Sequence, residues 1–586
     1  MTGPRLWQPH FDVTHCPDGT IVMAQTAPLT RLAPHMPERL VHWASSVPDR
    51  TYLAARDADG DWLRLTYAQV LAHVRQIAGY ILAMGLDSDH PVLVLSGNDL
   101  DHALVGLAAQ YAGVPYAPVS PAYSLVSTDH GKLRDIADLL DPGLIFAADG
   151  AVFDTALSAI AAPGRAVAVS RNARPGDLLL DTVKTGQDTV IADAAYDRLT
   201  PQTVGKYLFT SGSTGSPKAV INTQEMMTSN QDMIADCFAF LTDTPPVVVE
   251  WAPWSHTAGG NKVFNMVLYH GGTFYIDEGK PTPAGIMASI RNLSDIAPTW
   301  HFNVPVAYEM LVHAFESDPA LCHTFFSRLD MAMYAGAGMA QHTWDALLRL
   351  SRAVTGREVL LTSALGATET GPFALMGTDR QPHAGNVGVP ARGVTLKLVP
   401  NGGKLEARLK SPSITPGYFK DPVKSAEMLD AEGFYCLGDA LRPADPDDLT
   451  KGFLFDGRTA ENFKLNTGTW VAVGALRAAL VDHFGGLIRD AVIVGENHAE
   501  LGAILLPANA HPPSATDLQD RLNSFAATAT GSATRIGRIV LFDSPPDLDR
   551  GEVTDKGSLN QRAVIANRPA LVATLMGGGA GVLVAR

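Results

Sequence analysis

The chain has 586 residues, 46% of them hydrophobic and 18% charged, with 45 Lys and Arg against 60 Asp and Glu. That length exceeds one compact core and predicts at least two domains, and the ordinary composition excludes a disordered chain. A formal charge of −15 argues against nucleic acid or an anionic membrane as the main partner, while still allowing a local basic site for a phosphorylated cofactor.

The N-terminal stretch MTGPRLWQPHFDVTHCPDG has no apolar core behind a basic start, so no secretory signal is expected. No run approaches the ~20 apolar residues of a membrane helix. Cys16, Cys237, Cys322 and Cys436 lie far apart with no metal-ligand spacing, as expected for incidental thiols in a reducing compartment. A cytoplasmic protein without a membrane partner is the expectation, and a homodimer is compatible with it.

Short apolar runs then alternate with helical patterns. VLVLSG (92–97) is followed by the helical stretch DHALVGLAAQYAGV (101–114), and LIFAAD (144–149), AVAVS (166–170) and YLFTSG (207–212) read as buried strands. Such alternation predicts layered α/β architecture. A polar, turn-rich segment, RPADPDDLTKG (442–452), marks a break in composition. Beyond it lie two further strand-like runs, AVIVGE (491–496) and AILLP (503–507), with helical patterns around them. The chain therefore divides into a large domain, 1–457, and a small α+β domain, 458–586. The glycine-rich tail MGGGAGVLVAR is expected to fray.

The chemistry concentrates at YLFTSGSTGSPK (207–218). A Walker loop needs glycine before its lysine and a hydroxyl after it, but Pro217 and Ala219 flank Lys218. A nucleophile elbow needs GxSxG, and Thr214 and Ser216 occupy the serine and second glycine positions. What remains is a set of hydroxyls, two glycines that let backbone N–H groups turn to an anion, and a mobile cation. This composition suits the phosphates of a nucleotide, although a solvated Ser/Gly turn has the same composition.

Further motifs follow in order: WAPWSHTAGGN (251–261), APTWHFNVPVAYEML (297–311), YAGAGMA (334–340), LGATETG (365–371), GNVGVPARGVTLKLV (385–399), SPSITPGYFKDPVKSAEMLDAEGFYCLGD (411–439) and FLFDGR (453–458). Together with the 207–218 loop they resemble the adenylate-forming superfamily of acyl-CoA synthetases, luciferase-like enzymes and nonribosomal adenylation domains, from about residue 60 to 565. The resemblance implies a large layered α/β N-terminal domain and a small mobile C-terminal domain. It also implies a reaction in two halves. A carboxylate attacks the α-phosphorus of ATP to give acyl-AMP and pyrophosphate, and the thiol of coenzyme A then displaces AMP.

The same resemblance assigns residues. Thr210, Ser211, Gly212, Ser213, Thr214, Gly215 and Lys218 would hold the β- and γ-phosphates. Gly336, Ala337, Gly338, Gly366 and Ala367 would form the loops around adenine and α-phosphate, with Thr368 on that phosphate and Glu369 on Mg²⁺. Asp439 would accept both ribose hydroxyls and Arg458 would reinforce them. Lys556 would bridge carboxylate and α-phosphate during adenylation. Lys464 would face the site for thioester formation, with Gly468 beside the pantetheine tunnel and Ala460 as the hinge. His256 would close the pocket near the substrate carboxylate, although a buried, satisfied histidine is the alternative. Trp254, His256, Phe302, Asn303, Val304, Tyr308, Ala335, Gly336 and Gly338 would line the acyl pocket, and core packing accounts for most of these side chains equally well.

The C-terminal motifs narrow the resemblance. ENFKLNTGTWVAVGALR (461–477) and GEVTDKGSLNQRAV (551–564) depart from the commoner family patterns and look like those of feruloyl-CoA synthetases. Ala460 stands where relatives commonly carry Asp or Lys. The expected substrate is a hydroxycinnamic acid of the ferulate type. Another aromatic or medium-chain acid, or loading of a carrier protein, is the alternative, and no DSL-type serine motif near the C-terminus supports the latter.

Overall fold

The computed structural model describes residues 4–211, 217–377, 383–509, 511–555 and 557–586, with Ser211 and Ala460 described by backbone alone. Gly212, Ser213, Thr214, Gly215 and Lys556 therefore lie outside the described residues.

The run VLVL shows why continuous apolar segments became strands. Val92–Leu95 lies inside a seven-stranded sheet, parallel to Tyr116–Pro118 on one side and Leu144–Asp149 on the other. Its side chains alternate between two cores. Val92 and Val94 pack with the helix Leu100–Ala112, while Leu93 and Leu95 pack with Leu133, Ile136 and Leu140 of the helix Gly131–Leu140. A parallel strand buried on both faces has no polar side, so it shows no period-two alternation. The helix Leu100–Ala112 begins where Asp99 accepts the His102 N–H at 2.7 Å and ends at Gly113 with φ +73°, a left-handed cap that favours glycine.

The hairpin Val204–Ser211 and Pro217–Thr223 closes one edge of this sheet. A second sheet of eleven strands runs from Phe11–His15 at one edge to Trp300–Asn303 at the other. Its last three strands, Leu360–Leu365, Met331–Tyr334 and Trp300–Asn303, are parallel, and the pairings through the rest are antiparallel. A four-stranded sheet, Val247–Glu250, Thr273–Ile276, Thr51–Arg56 and Trp62–Thr66, completes the large part.

The polar segment 442–452 is a hairpin turn inside the eleven-stranded sheet. Tyr435–Pro443 leads into it and Phe453–Arg458 leaves it, with Leu441 opposite Phe455. Its composition reports surface exposure, and the chain leaves the large sheet only after Arg458. A short hairpin, Phe463–Lys464 with Trp470–Val471, follows, and then a four-stranded sheet of Ile488–Val494, Leu501–Pro507, Ile536–Leu541 and Leu583–Val584. Helices Val473–Phe484 and Ala515–Ala527 cover one face of this sheet, and Gln561–Asn567 and Pro569–Gly577 the other, each with its own buried cluster.

The tail corrects an expectation. It does not fray: Leu583 and Val584 pair with Ile539 and Arg538 as an edge strand, and Gln519 Nε2 donates to the Val584 carbonyl at 2.9 Å. The glycines supply the turn into that strand, with φ +71° at Gly578 and +80° at Gly581.

The C-terminal part touches the large part through the segment 547–553. Asp549 accepts from Ser127 Oγ at 2.6 Å and from the Thr128 N–H and Oγ1 at 2.9 Å, and Lys132 Nζ donates to the Leu548 carbonyl at 2.7 Å. Leu548 and Val553 join the core that holds Tyr207 and Ala219 of the 204–223 hairpin.

Candidate active site

Three parallel strands end together. Asn303, Tyr334 and Ser363 stand side by side in register, so the loops after them share one edge, where ligands of open α/β sheets usually bind. These loops carry Val304, the stretch Ala335, Gly336, Ala337 and Gly338, and LGATETG. Gly336 has φ +89° and, with Ala337 and Gly338, is exposed. Ala335 is half-buried. The Tyr334 hydroxyl accepts the Gly385 N–H at 2.8 Å and the Ser363 hydroxyl donates to the Tyr334 carbonyl at 3.1 Å, tying the strand ends together.

The 365–371 loop is over-determined. A side chain at Gly366 would overlap the Pro372 carbonyl oxygen. Ala367 donates its N–H to Thr370 Oγ1 at 2.8 Å, and Thr368 and Glu369 are buried in a single 3-10 turn, Thr368–Thr370. Asn230, fully buried on the helix Gln224–Cys237, donates to the Thr370 and Phe373 carbonyls at 3.2 and 2.9 Å and accepts the Phe373 N–H at 3.3 Å. Its signal in the sequence is the run TSNQD (228–232), five consecutive polar residues set between Met226–Met227 and Met233–Ile234 in one helix. All five are buried.

Glu369 and Lys218 meet through one tyrosine. The Tyr418 hydroxyl donates to Glu369 Oε1 at 2.9 Å, and burial, with Glu369 nearby, also raises the Tyr435 phenol. Lys218 Nζ lies 4.8 Å from the centre of the Tyr418 ring, a cation–π distance. Burial, with the Glu369 carboxylate beside it, pushes the Tyr418 phenol well above its ordinary range, so it stays a donor. Val220 bridges to Tyr418 by backbone pairing, and the two pack with Tyr435 and Ala367. Thr210 lies opposite Lys218 in the hairpin register, and Ser211 opposite Pro217. Sequence reasoning missed both tyrosines, although GYFKD and FYCLGD carried them in plain view.

Among the described residues no group of three or more His, Cys, Asp or Glu could hold a metal ion. Glu369 alone would supply a hard cation with one buried carboxylate. That donor set fits Mg²⁺, which usually takes one or two carboxylates and completes its shell with phosphate oxygens and water.

Asp439 and Arg458 are cross-strand partners, with Arg458 Nε 3.6 Å from Asp439 Oδ1. Burial pushes the Asp439 carboxyl up to about 6, and Arg458 partly offsets this. Arg458 is exposed and Gly438 turns the chain with φ +76° just before the aspartate. A buried carboxylate paired with an exposed guanidinium suits a neutral ligand with two hydroxyls.

His256 sits in a turn just before the π-helix Ala258–Phe264, where its Nδ1 accepts the Ala258 N–H at 3.2 Å and its carbonyl accepts from Gly260. Trp254 and Tyr308 are placed in the core. Trp254 packs against His102, Phe264 and Phe274, and the Tyr308 hydroxyl donates to the Met333 carbonyl at 3.1 Å. Phe302 is buried alongside Trp300, and Asn303 Oδ1 accepts the Val304 N–H at 2.9 Å.

Lys464 is exposed on the small hairpin, its Nζ 4.9 Å from the centre of the Trp470 ring, and Gly468 turns that hairpin with φ +80°. These two are not packed against Glu369 or Lys218. Ala460 lies in the 3-10 turn Thr459–Glu461, between the large sheet and the hairpin. Burial, with a smaller contribution from the Asp555 charge, raises the Tyr123 phenol, and Tyr123 packs in the core that holds Tyr207.

Residues 40–419, nearly two thirds of the chain, match the AMP-binding enzyme family, and the chain belongs to that family. It is 25% identical over 480 residues to a carboxylic acid reductase of Mycobacterium tuberculosis, covering 74% of this chain and 39% of that protein. It is 22% identical over 506 residues to a 4-coumarate–CoA ligase of Pinus taeda, covering 84% and 88%. The chain thus spans about two fifths of the length of that reductase and most of the ligase. Among solved structures, ATP-bound MatB from Rhodopseudomonas palustris superposes with a TM-score of 0.70 at 20% identity, covering 92% and 99%, a likeness of fold. Among the described residues no helix is long and apolar enough to cross a membrane.

Proposed function

We propose that this protein is an AMP-forming acid–thiol ligase that joins a hydroxycinnamic acid of the ferulate type to coenzyme A through an acyl-AMP intermediate. The observation that carries the reading is the Lys218–Tyr418–Glu369 connection. A phosphate-type hairpin and a buried carboxylate loop, 150 residues apart in sequence, are fixed to one tyrosine beside the strand ends.

In this reading Lys218 and the hairpin hydroxyls orient the leaving pyrophosphate, and Thr368 holds the α-phosphate. Glu369 would hold Mg²⁺, which supplies charge neutralisation when bound. Asp439 accepts the ribose hydroxyls, with Arg458 behind it. His256, at the start of the π-helix, closes the carboxylate end of the acyl pocket. Lys556 offsets the repulsion between carboxylate and α-phosphate, an electrostatic contribution of the kind that dominates such transfers. The unit 458–586 then turns about Ala460 and brings Lys464 and Gly468 to the site for attack by the thiol. The acid preference rests on the ENFKLNTG and VTDKGSLNQR motifs and is in keeping with the similarity to a 4-coumarate–CoA ligase.

The experiment is CoA-dependent AMP release across ferulate, p-coumarate, caffeate, benzoate and octanoate. Turnover with at least one hydroxycinnamate, at a kcat/KM above those for benzoate and octanoate, is expected. Turnover with benzoate or octanoate alone would overturn the substrate, and absence of acid-dependent pyrophosphate exchange with all five would overturn acid activation. A second reading, an adenylating unit that passes its acyl group to a carrier, is favoured by the partial match to a carboxylic acid reductase. AMP release that does not respond to CoA would select it.

A further inference from the structure

The π-helix Ala258–Phe264 contains a buried cation that none of the roles above uses. Lys262 is 3% exposed. Its Nζ lies 2.7 Å from the Met333 Sδ and 5.2 Å from the centre of the Phe373 ring, and among the described residues it has no carboxylate partner. A thioether is a weak acceptor and an aromatic face a partial one, so most of the donor capacity of this group is unused. A buried, unpaired ammonium is costly and needs a compensating partner.

Its position names the missing partner. Met333 is level with Phe302 on one neighbouring strand and with Thr362 on the other, so the three side chains form a row on one face of the sheet. The loops directly after these strands carry Val304, Ala335–Gly338 and LGATETG. Lys262 also stands six residues beyond His256 along the chain, on the π-helix that begins just after that histidine. Nearby chain contributes more unsatisfied buried atoms: Asn261 Oδ1, Asn265 Nδ2 and, on the facing helix, Gln231 Oε1. Asn303, expected to line the acyl pocket, has its carboxamide oxygen engaged by the Val304 N–H.

We infer that Lys262 is a specificity-determining residue that hydrogen-bonds a phenolic hydroxyl at the end of the substrate ring remote from the carboxylate. The inference rests on the ligase reading above and specifies its substrate class. Burial brings the Lys262 amine down to about 7, so both protonation states occur near neutral pH. A phenol serves both, donating to the lone pair of the amine and accepting from the ammonium, whereas a carboxylate or ether oxygen leaves that lone pair without a donor.

The test compares p-coumarate with cinnamate, which lacks the hydroxyl, in wild type and Lys262→Met, a neutral side chain of similar length. In wild type, kcat/KM for p-coumarate should exceed that for cinnamate by about tenfold or more. The variant should lose about 10- to 100-fold on p-coumarate, the range of a hydrogen bond to a charged group, with cinnamate changed by less than about threefold. Parallel losses on both acids, or no change on either, would overturn the assignment and leave the ligase reading intact. Equal wild-type turnover of the two acids would also overturn it, without recourse to the variant. Failure of wild type on both acids would remove the ligase substrate and the inference together. The melting temperature of Lys262→Met should equal or exceed that of wild type, because a buried charge is removed.

Discussion

Asp439 is poised against its own charge. An unfolded aspartate titrates near 3.9, whereas burial holds the folded group at about 6. Between about pH 4 and 6 the folded state keeps a proton that the unfolded state has lost, so this group lowers stability as pH rises through that window. Asp439→Asn should therefore stabilise the nucleotide-free protein at pH 7.5 by about 2–3 kcal/mol and by less at pH 5, read by thermal melts at both. Nucleotide affinity measured by calorimetry should fall at least about tenfold at pH 7.5, because an amide cannot replace a bidentate carboxylate. A melt that shifts equally at both pH values would deny the titration. Asn230 makes a second residue-scale prediction. Asn230→Ala leaves the Thr370 and Phe373 backbone groups unpaired in the core, which should cost about 1–3 kcal/mol in denaturant melts. It should lower kcat for pyrophosphate exchange more than it raises KM for ATP.

At the scale of elements, the strands of the seven-stranded sheet were legible because each is a short apolar run, and burial on both faces demands such a run. LGATETG and YCLGD were legible as chemistry only through their resemblance to the ordered motifs of the adenylate-forming superfamily. The link between them was not, since Tyr418 and Tyr435 become partners of Glu369 only when the 411–439 segment folds back onto the hairpin. The composition of segment 442–452 marked a surface hairpin turn some residues ahead of the point where the chain leaves the large sheet, because exposed turns share a polar, proline-rich composition. The glycine tail misled for a different reason. Its Leu583 and Val584 acquire partners only from Ile536–Leu541, some 45 residues earlier, and no local pattern reports such pairing. The candidate pocket was legible least. Trp254 and Tyr308 have the composition of a ligand wall, yet their partners are other core side chains.

Across the whole molecule, the contact at segment 547–553 joins polar and apolar groups: Asp549 receives three hydrogen bonds from Ser127 and Thr128, and Leu548 and Val553 pack beside them. Contacts between domains of one chain commonly permit relative motion. Asp549→Ala should therefore weaken the docking of segment 547–553 on Ser127, Thr128 and Lys132. Ferulate-dependent pyrophosphate exchange should fall about 5- to 50-fold, while conversion of preformed feruloyl-AMP to the thioester changes by less than about threefold. Equal losses would mean that Asp549 only supports folding. The lysines sharpen the same division. Lys556→Ala should abolish pyrophosphate exchange and largely spare the second half-reaction, and Lys464→Ala should show the opposite bias. Loss of both activities in either variant would remove the two-orientation scheme.

The Asp549 contact also bears on how such enzymes can be recombined. A C-terminal unit transplanted from another family member would bring its own counterpart of residues 547–553, but would meet Ser127, Thr128 and Lys132 of this recipient. The graft boundary at Arg458 is therefore only half of the specification. A functional chimera should also require residues 123–132 to travel with the donor unit, and a hybrid lacking them should fold yet activate its acid slowly.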